Sequence, residues 1–154
     1  MDGWRRVLVA VLVMSSVGGA LCQADVLPTG GSRPAIPPTH FPDRLHAFIW
    51  RNWELISLER MAEVLQTTPE NVRDIGLAMG LPRHVRPPAE YLQRGYITII
   101  RRNWHLLPYE QLLTLLGWDA QKLAFTLRED DFLWIKLGSL KPVCTAIRYA
   151  EPNE

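Results

Sequence analysis

Apolar side chains return at helical spacing in two stretches of this chain. Leu45, Phe48, Ile49, Asn52 and Trp53 stand at i, i+3, i+4, i+7 and i+8, one face of a 3.6-residue period. Tyr96, Ile99, Ile100, Asn103 and Trp104 repeat those intervals farther along. Each stretch leads to a second apolar run, about Leu58 to Leu65 and about Tyr109 to Leu116, which predicts a second helix. Three-residue turns follow, Gln66-Thr67-Thr68 and Gly117-Trp118-Asp119. Thr68 and Asp119 close those turns with side-chain oxygens suited to accept a free backbone N–H at the start of a third helix. Pro69 takes the first helical position, where its missing N–H costs nothing. Val72 and Ile75, or Leu123 and Leu127, then face the core, and Gly80 and Pro82 stop the first of these helices.

The correspondence is residue by residue. Arg51-Asn52-Trp53-Glu54-Leu55 matches Arg102-Asn103-Trp104-His105-Leu106 at an offset of 51 residues, without a gap for about 30 residues. Met61, Ala62, Val64, Leu65 and Val72 fall on Leu112, Leu113, Leu115, Leu116 and Leu123. Preserved spacing of this kind predicts an internal repeat. The expected fold is all-α, with two tandem three-helix units over residues 43–82 and 94–138. Units of this size bury little surface alone and should share an interface. The second unit carries a further short helix through Phe132–Leu137, capped by Asp130 or Asp131 and ended by Gly138. Residues 83–93 read as a linker, and residues 139–154 as a poorly patterned tail resembling the start of a connection.

Residues 25–42 hold five prolines, Pro28, Pro34, Pro37, Pro38 and Pro42, among Gly, Ser and Thr, which predicts an extended or flexible tether. Ahead of it, Arg5 and Arg6 precede the apolar run Val7 to Met14 and small residues through Ala24. This is the layout of a secretory signal peptide over residues 1–24, with a core too short to span a bilayer. Cleavage after Ala24 and after Cys22 both leave a small residue at the required place. Lipidation at Cys22 and an uncleaved anchor are the alternatives, although Gly19-Ala20-Leu21 departs from the lipoprotein pattern.

Composition narrows the function. The chain has 17 Lys and Arg against 16 Asp and Glu, and removing the signal segment leaves 15 of each, with no basic excess for phosphate. Cys144 is then the sole thiol, so no internal disulfide is expected. His40, His46, His84 and His105 lack metal-ligand spacing, and no phosphate loop, nucleophile elbow or metalloprotease signature occurs. Glu129, Asp130 and Asp131 read as capping groups rather than paired catalytic carboxylates. No cofactor is expected.

The second and third helices of each unit, with Ala62 in the second helix, Gly117 in one turn, and Val72 and Ile75 bracing the third, resemble the tri-helical helix-turn-helix family. That resemblance implies a third helix placed for the DNA major groove. Glu70 and Asp74 on the exposed side of the first such helix disfavour phosphates, so DNA binding is the alternative function. The Arg-Asn-Trp repeats and the stretch Leu127 to Trp134 resemble the N-terminal helical region of large exported bacterial proteins, some with glycoside-hydrolase-like domains downstream. No active-site residue carries over from it.

The expectation is a non-catalytic extracytoplasmic binding or adaptor module, with a hydrolase fragment as the third reading. Trp53 and Trp104 read as core plugs, and Asn52 and Asn103 as half-buried amides bonded to a chain end or turn. The candidate surface for a protein or glycan partner is Trp50, Arg101, Arg102, Trp118 and Lys122.

Overall fold

A computed structural model describes residues 26–151; the expected signal segment lies outside them. The fold is all-α. Its helices are α1 (Arg44–Asn52), α2 (Leu58–Leu65), α3 (Pro69–Ala78), α4 (Ala89–Arg94), α5 (Tyr96–Asn103), α6 (Tyr109–Leu116), α7 (Ala120–Glu129) and α8 (Leu133–Lys136). None is long and apolar enough to cross a membrane. Local chemistry explains the starts. Asp43, Ser57, Thr68 and Asp119 each accept a backbone N–H from the first turn that follows. It also explains two matching exits, where Gln66 (φ 57°) and Gly117 (φ 65°) turn left-handed after α2 and α6.

The bounds of α2 and α6, and of α3 and α7, differ by the same 51 residues that separate Asn52 from Asn103. The two sets meet through α1 against α5 and α2 against α6. At the centre, Asn52 Nδ2 donates to Asn103 Oδ1 at 2.9 Å, and Asn103 Nδ2 donates to Asn52 Oδ1 at 2.8 Å. The second hydrogen of each amide goes to the carbonyl one helical turn back, Phe48 O and Ile99 O. Both side chains are fully buried. They bond to each other, not to a chain end or turn, because the facing helices bring the two amides together. Just outside, Arg51 donates to Arg102 O at 2.9 Å and Arg102 to Arg51 O at 2.8 Å.

Trp53 and Trp104 plug the two cores. Each donates its indole N–H to the chain that returns after the third helix, Pro82 O at 2.9 Å and Leu140 O at 3.0 Å. The Trp53 ring occupies the space above Gly76, where a Cβ would come within 2.1 Å of a ring carbon.

Several expectations require correction. Residues 26–42 are no free tether: Leu27 is buried, Tyr109 donates its hydroxyl to Pro28 O, and Lys141 N and Val143 N donate to Thr29 O and Arg33 O. Proline removes donors, but its carbonyl and those of its neighbours still accept. The stretch 140–149 is no loose tail. Lys141 and Ile147 are buried, Tyr149 N donates to Leu65 O, and Gln111 brackets Ile147 through both its N–H and its carbonyl. Extended chain laid across two bundles follows their shape and shows no period of its own. The 83–93 linker ends in helix α4. Asp130 and Asp131 do not cap α8 with their side chains; Leu133 N donates to Asp130 backbone O, Tyr96 takes the Asp130 carboxylate, and Lys136 takes that of Asp131.

Lys141 extends its ammonium beneath these straps to Trp104 O at 3.0 Å and Leu107 O at 2.8 Å, carbonyls left free where α5 ends. It lies 5.0 Å from the Trp104 ring centre and 3.6 Å from Cys144 Sγ. Burial pushes its pKa down. His105 Nδ1 accepts the N–H of Ile36 at 3.2 Å, which requires an unprotonated nitrogen. Burial, then Lys141 and Arg51, hold this imidazole below its ordinary value of 6.5.

Asn52→Ala should cost about 1–3 kcal/mol by stranding the Asn103 amide. Urea unfolding of both single variants and the double variant should show the double costing well below the sum; strict additivity would mean that the amides do not depend on each other. Gly76→Ala should destabilise by about 1–3 kcal/mol through collision with Trp53. A proton favours the unfolded state at His105, so stability should hold above pH 6.5 and decline as pH falls below it. His105→Gln should flatten that acid-side slope, and an unchanged slope would assign it to other groups.

Candidate functional site

The five candidate residues do not share one surface. Trp50 is exposed on α1 and tilts against Phe41, ring centres 5.5 Å apart. It borders a small hollow of about 160 Å³ with Glu54, Pro82 and Arg102. The Arg102 guanidinium is already committed to Arg51 O across the bundle interface. Arg101 is exposed on α5 and lines neither this hollow nor the one described next. Trp118 and Lys122 stand together elsewhere, at the turn between α6 and α7.

That turn builds a defined hollow of about 410 Å³. Asp119 caps α7 by accepting Lys122 N at 2.7 Å, which fixes Lys122 one turn beyond Trp118. The Lys122 ammonium lies 4.4 Å from the centre of the Trp118 ring. Tyr96, the first residue of α5, brings its ring to 5.4 Å from Trp118 at an interplanar angle of 49°. Its hydroxyl donates to Asp130 Oδ2 at 2.8 Å, and this bond to a carboxylate raises the phenol pKa. Gln93 and Thr126 complete the polar lining, and Leu92 of α4 forms an apolar wall. Two aromatic rings, an ammonium, a carboxylate, an amide and a hydroxyl thus converge on one concavity.

A second hollow, of about 300 Å³, opens on the other side of Leu92. Leu55, Ile56 and Pro87 give it apolar walls, and Arg60, Arg86 and Ser57 supply polar groups. Arg60 is held in place from both bundles: its Nη1 donates to Glu63 Oε2 at 2.9 Å and to Thr114 O at 3.1 Å. Its Nη2 lies 3.2 Å from where a Cβ on Gly117 would stand. Gly117 therefore serves twice, in the left-handed exit from α6 and in the close approach of the guanidinium. Glu59, at the start of α2, is held below the usual carboxylate range by its own backbone N–H and the Ser57 hydroxyl, then by Arg86 and His84. His84 itself is turned inward, 3.0 Å from Ile56 O and edge-on to Trp53 at 5.0 Å.

Sequence reasoning singled out Trp118 and Lys122 but not Tyr96, Gln93, Asp130 or Arg60 as their neighbours. Arg86 stands in the short basic stretch Arg83-His84-Val85-Arg86, inside what reads as a linker. Arg60 gave no signal, because its reach to Thr114 crosses between bundles. Gln93 lay in what reads as a linker. No family model, curated protein sequence or solved structure matches the chain.

Proposed function

We propose that this chain is a non-catalytic binding module of an exported protein, built by duplication of a helix-turn-helix-like three-helix unit, and that it binds a glycan in the Tyr96–Trp118–Lys122 hollow. Export rests on the basic, apolar and small-residue order of residues 1–24. Duplication is supported by the 51-residue recurrence and by the mutual bonding of Asn52 with Asn103 and Arg51 with Arg102.

The glycan reading is carried by one observation, the convergence of Tyr96 and Trp118 with Lys122, Asp130, Gln93 and Thr126. A sugar ring presents C–H faces that pack on aromatic carbon, and a rim of hydroxyls that both donate and accept. Asp130 accepts, Lys122 donates, and Gln93 and Thr126 do both. The Lys122–Trp118 contact is exposed and worth about 0.5–1 kcal/mol, little enough for a sugar face to displace.

Calorimetric titration of the protein against a panel of oligosaccharides should find a ligand whose affinity falls about tenfold or more in Trp118→Ala. Trp50→Ala should leave that affinity unchanged. Loss of binding in the Trp50 variant with retention in the Trp118 variant would move the site to the small hollow beside Trp50.

A further inference from the structure

The hollow at Trp118 has a neighbour. Leu92 lines both hollows, and the Arg60 guanidinium spans the ground between them, bonded to Thr114 O on one side and pressed over Gly117 on the other. Lys122 lines the aromatic hollow, and Arg60 and Arg86 line the proline-walled hollow that adjoins it at Leu92. We propose that the two adjoining hollows together hold an acidic glycan of at least two units, with the sugar face of one unit on Trp118 and Tyr96 and a carboxylate of the next between Arg60 and Arg86. This rests on the glycan reading above and adds the charge and length of the ligand.

Acidic side chains stand in or beside the two hollows, and their partners decide the local sign. Asp130 accepts the Tyr96 hydroxyl, and Glu63 pairs with Arg60 through Nη1 only. Glu59 turns to its own N–H and to Ser57 before Arg86. The exposed Arg86, with the half-buried Arg60 lining the same hollow, stands ready for a ligand carboxylate, which guanidinium groups bind in forked geometry. An acidic peptide fits less well. Its backbone would need hydrogen-bonding edges, whereas Pro87 and Pro88 have no N–H and the neighbouring helices use theirs internally.

The test uses the full chain and three probes of matched length: an oligogalacturonate, its fully methyl-esterified form and an oligoglutamate. Titration at low salt should show the oligogalacturonate binding about tenfold more tightly than the ester, with the difference shrinking as salt is raised. Arg86→Gln, a change at an exposed position, should weaken binding of the acid far more than that of the ester and so remove most of that preference. Arg86→Lys should restore part of it. Equal binding of the acid and the ester, or an Arg86→Gln variant that keeps the full preference, overturns the acidic ligand while leaving a glycan site in place. Tighter binding of the oligoglutamate than of the oligogalacturonate overturns it in favour of a peptide. Binding of neither saccharide here, together with an empty oligosaccharide panel, removes the glycan reading itself.

Discussion

Two asparagine amides, each surrounded by apolar side chains, are the point on which the packing of this protein turns. Burying an amide without partners is costly, and Asn52 and Asn103 avoid that cost only in one arrangement of α1 against α5. Slide one helix along the other by a turn, and both amides lose their reciprocal bonds while remaining in the core. The surrounding contacts of Phe48, Ile49, Ile99 and Ile100 are oily and would tolerate many registers. The polar pair therefore selects among packings that hydrophobic burial alone would leave close in energy. The arginine pair outside it, each donating to the other's carbonyl, holds the same register at the rim.

The placement of Arg60 follows from that register. Arg60 belongs to one bundle and reaches Thr114 of the other, so its guanidinium has a place only when α2 and α6 are correctly opposed. Gly117 then makes room for it, and Leu92 of α4 separates the two hollows without closing either. The Trp118–Lys122 pair depends on the Asp119 cap, a local device, but its partner Tyr96 comes from a different helix and its partner Asp130 from beyond the end of α7. The hollow beside Trp118 thus gathers side chains from the second bundle and α4, and Arg60 next to it reaches across from the first.

The extended segments complete the body by a different principle. Residues 26–36 and 140–149 use backbone groups more than side chains: two isolated bridges pair them, and helix-end carbonyls, Tyr109, Gln111 and His105 supply other partners. Lys141 is the anchor beneath them, an ammonium brought under cover to satisfy carbonyls that α5 cannot. Its placement carries a desolvation cost, visible in the lowered pKa, that carbonyl oxygens and the Trp104 ring offset.

Local order was legible in the sequence. The bounds of α2 and α6, the caps at Thr68 and Asp119, the core roles of Trp53 and Trp104, and the all-α class all follow from apolar periodicity and cap chemistry within a few residues. Tertiary structure alone decided the rest: that Asn52 meets Asn103, that Arg60 crosses to Thr114, that Leu27 is buried and the Pro28 carbonyl is bonded to Tyr109, and that Trp118 acquires Tyr96 and Asp130 as neighbours. Periodicity says which face of a helix is oily, a property of nearest neighbours along the chain. Which oily faces meet, and which polar groups are stranded or satisfied when they do, depends on contacts between residues tens of positions apart, and no local pattern encodes those.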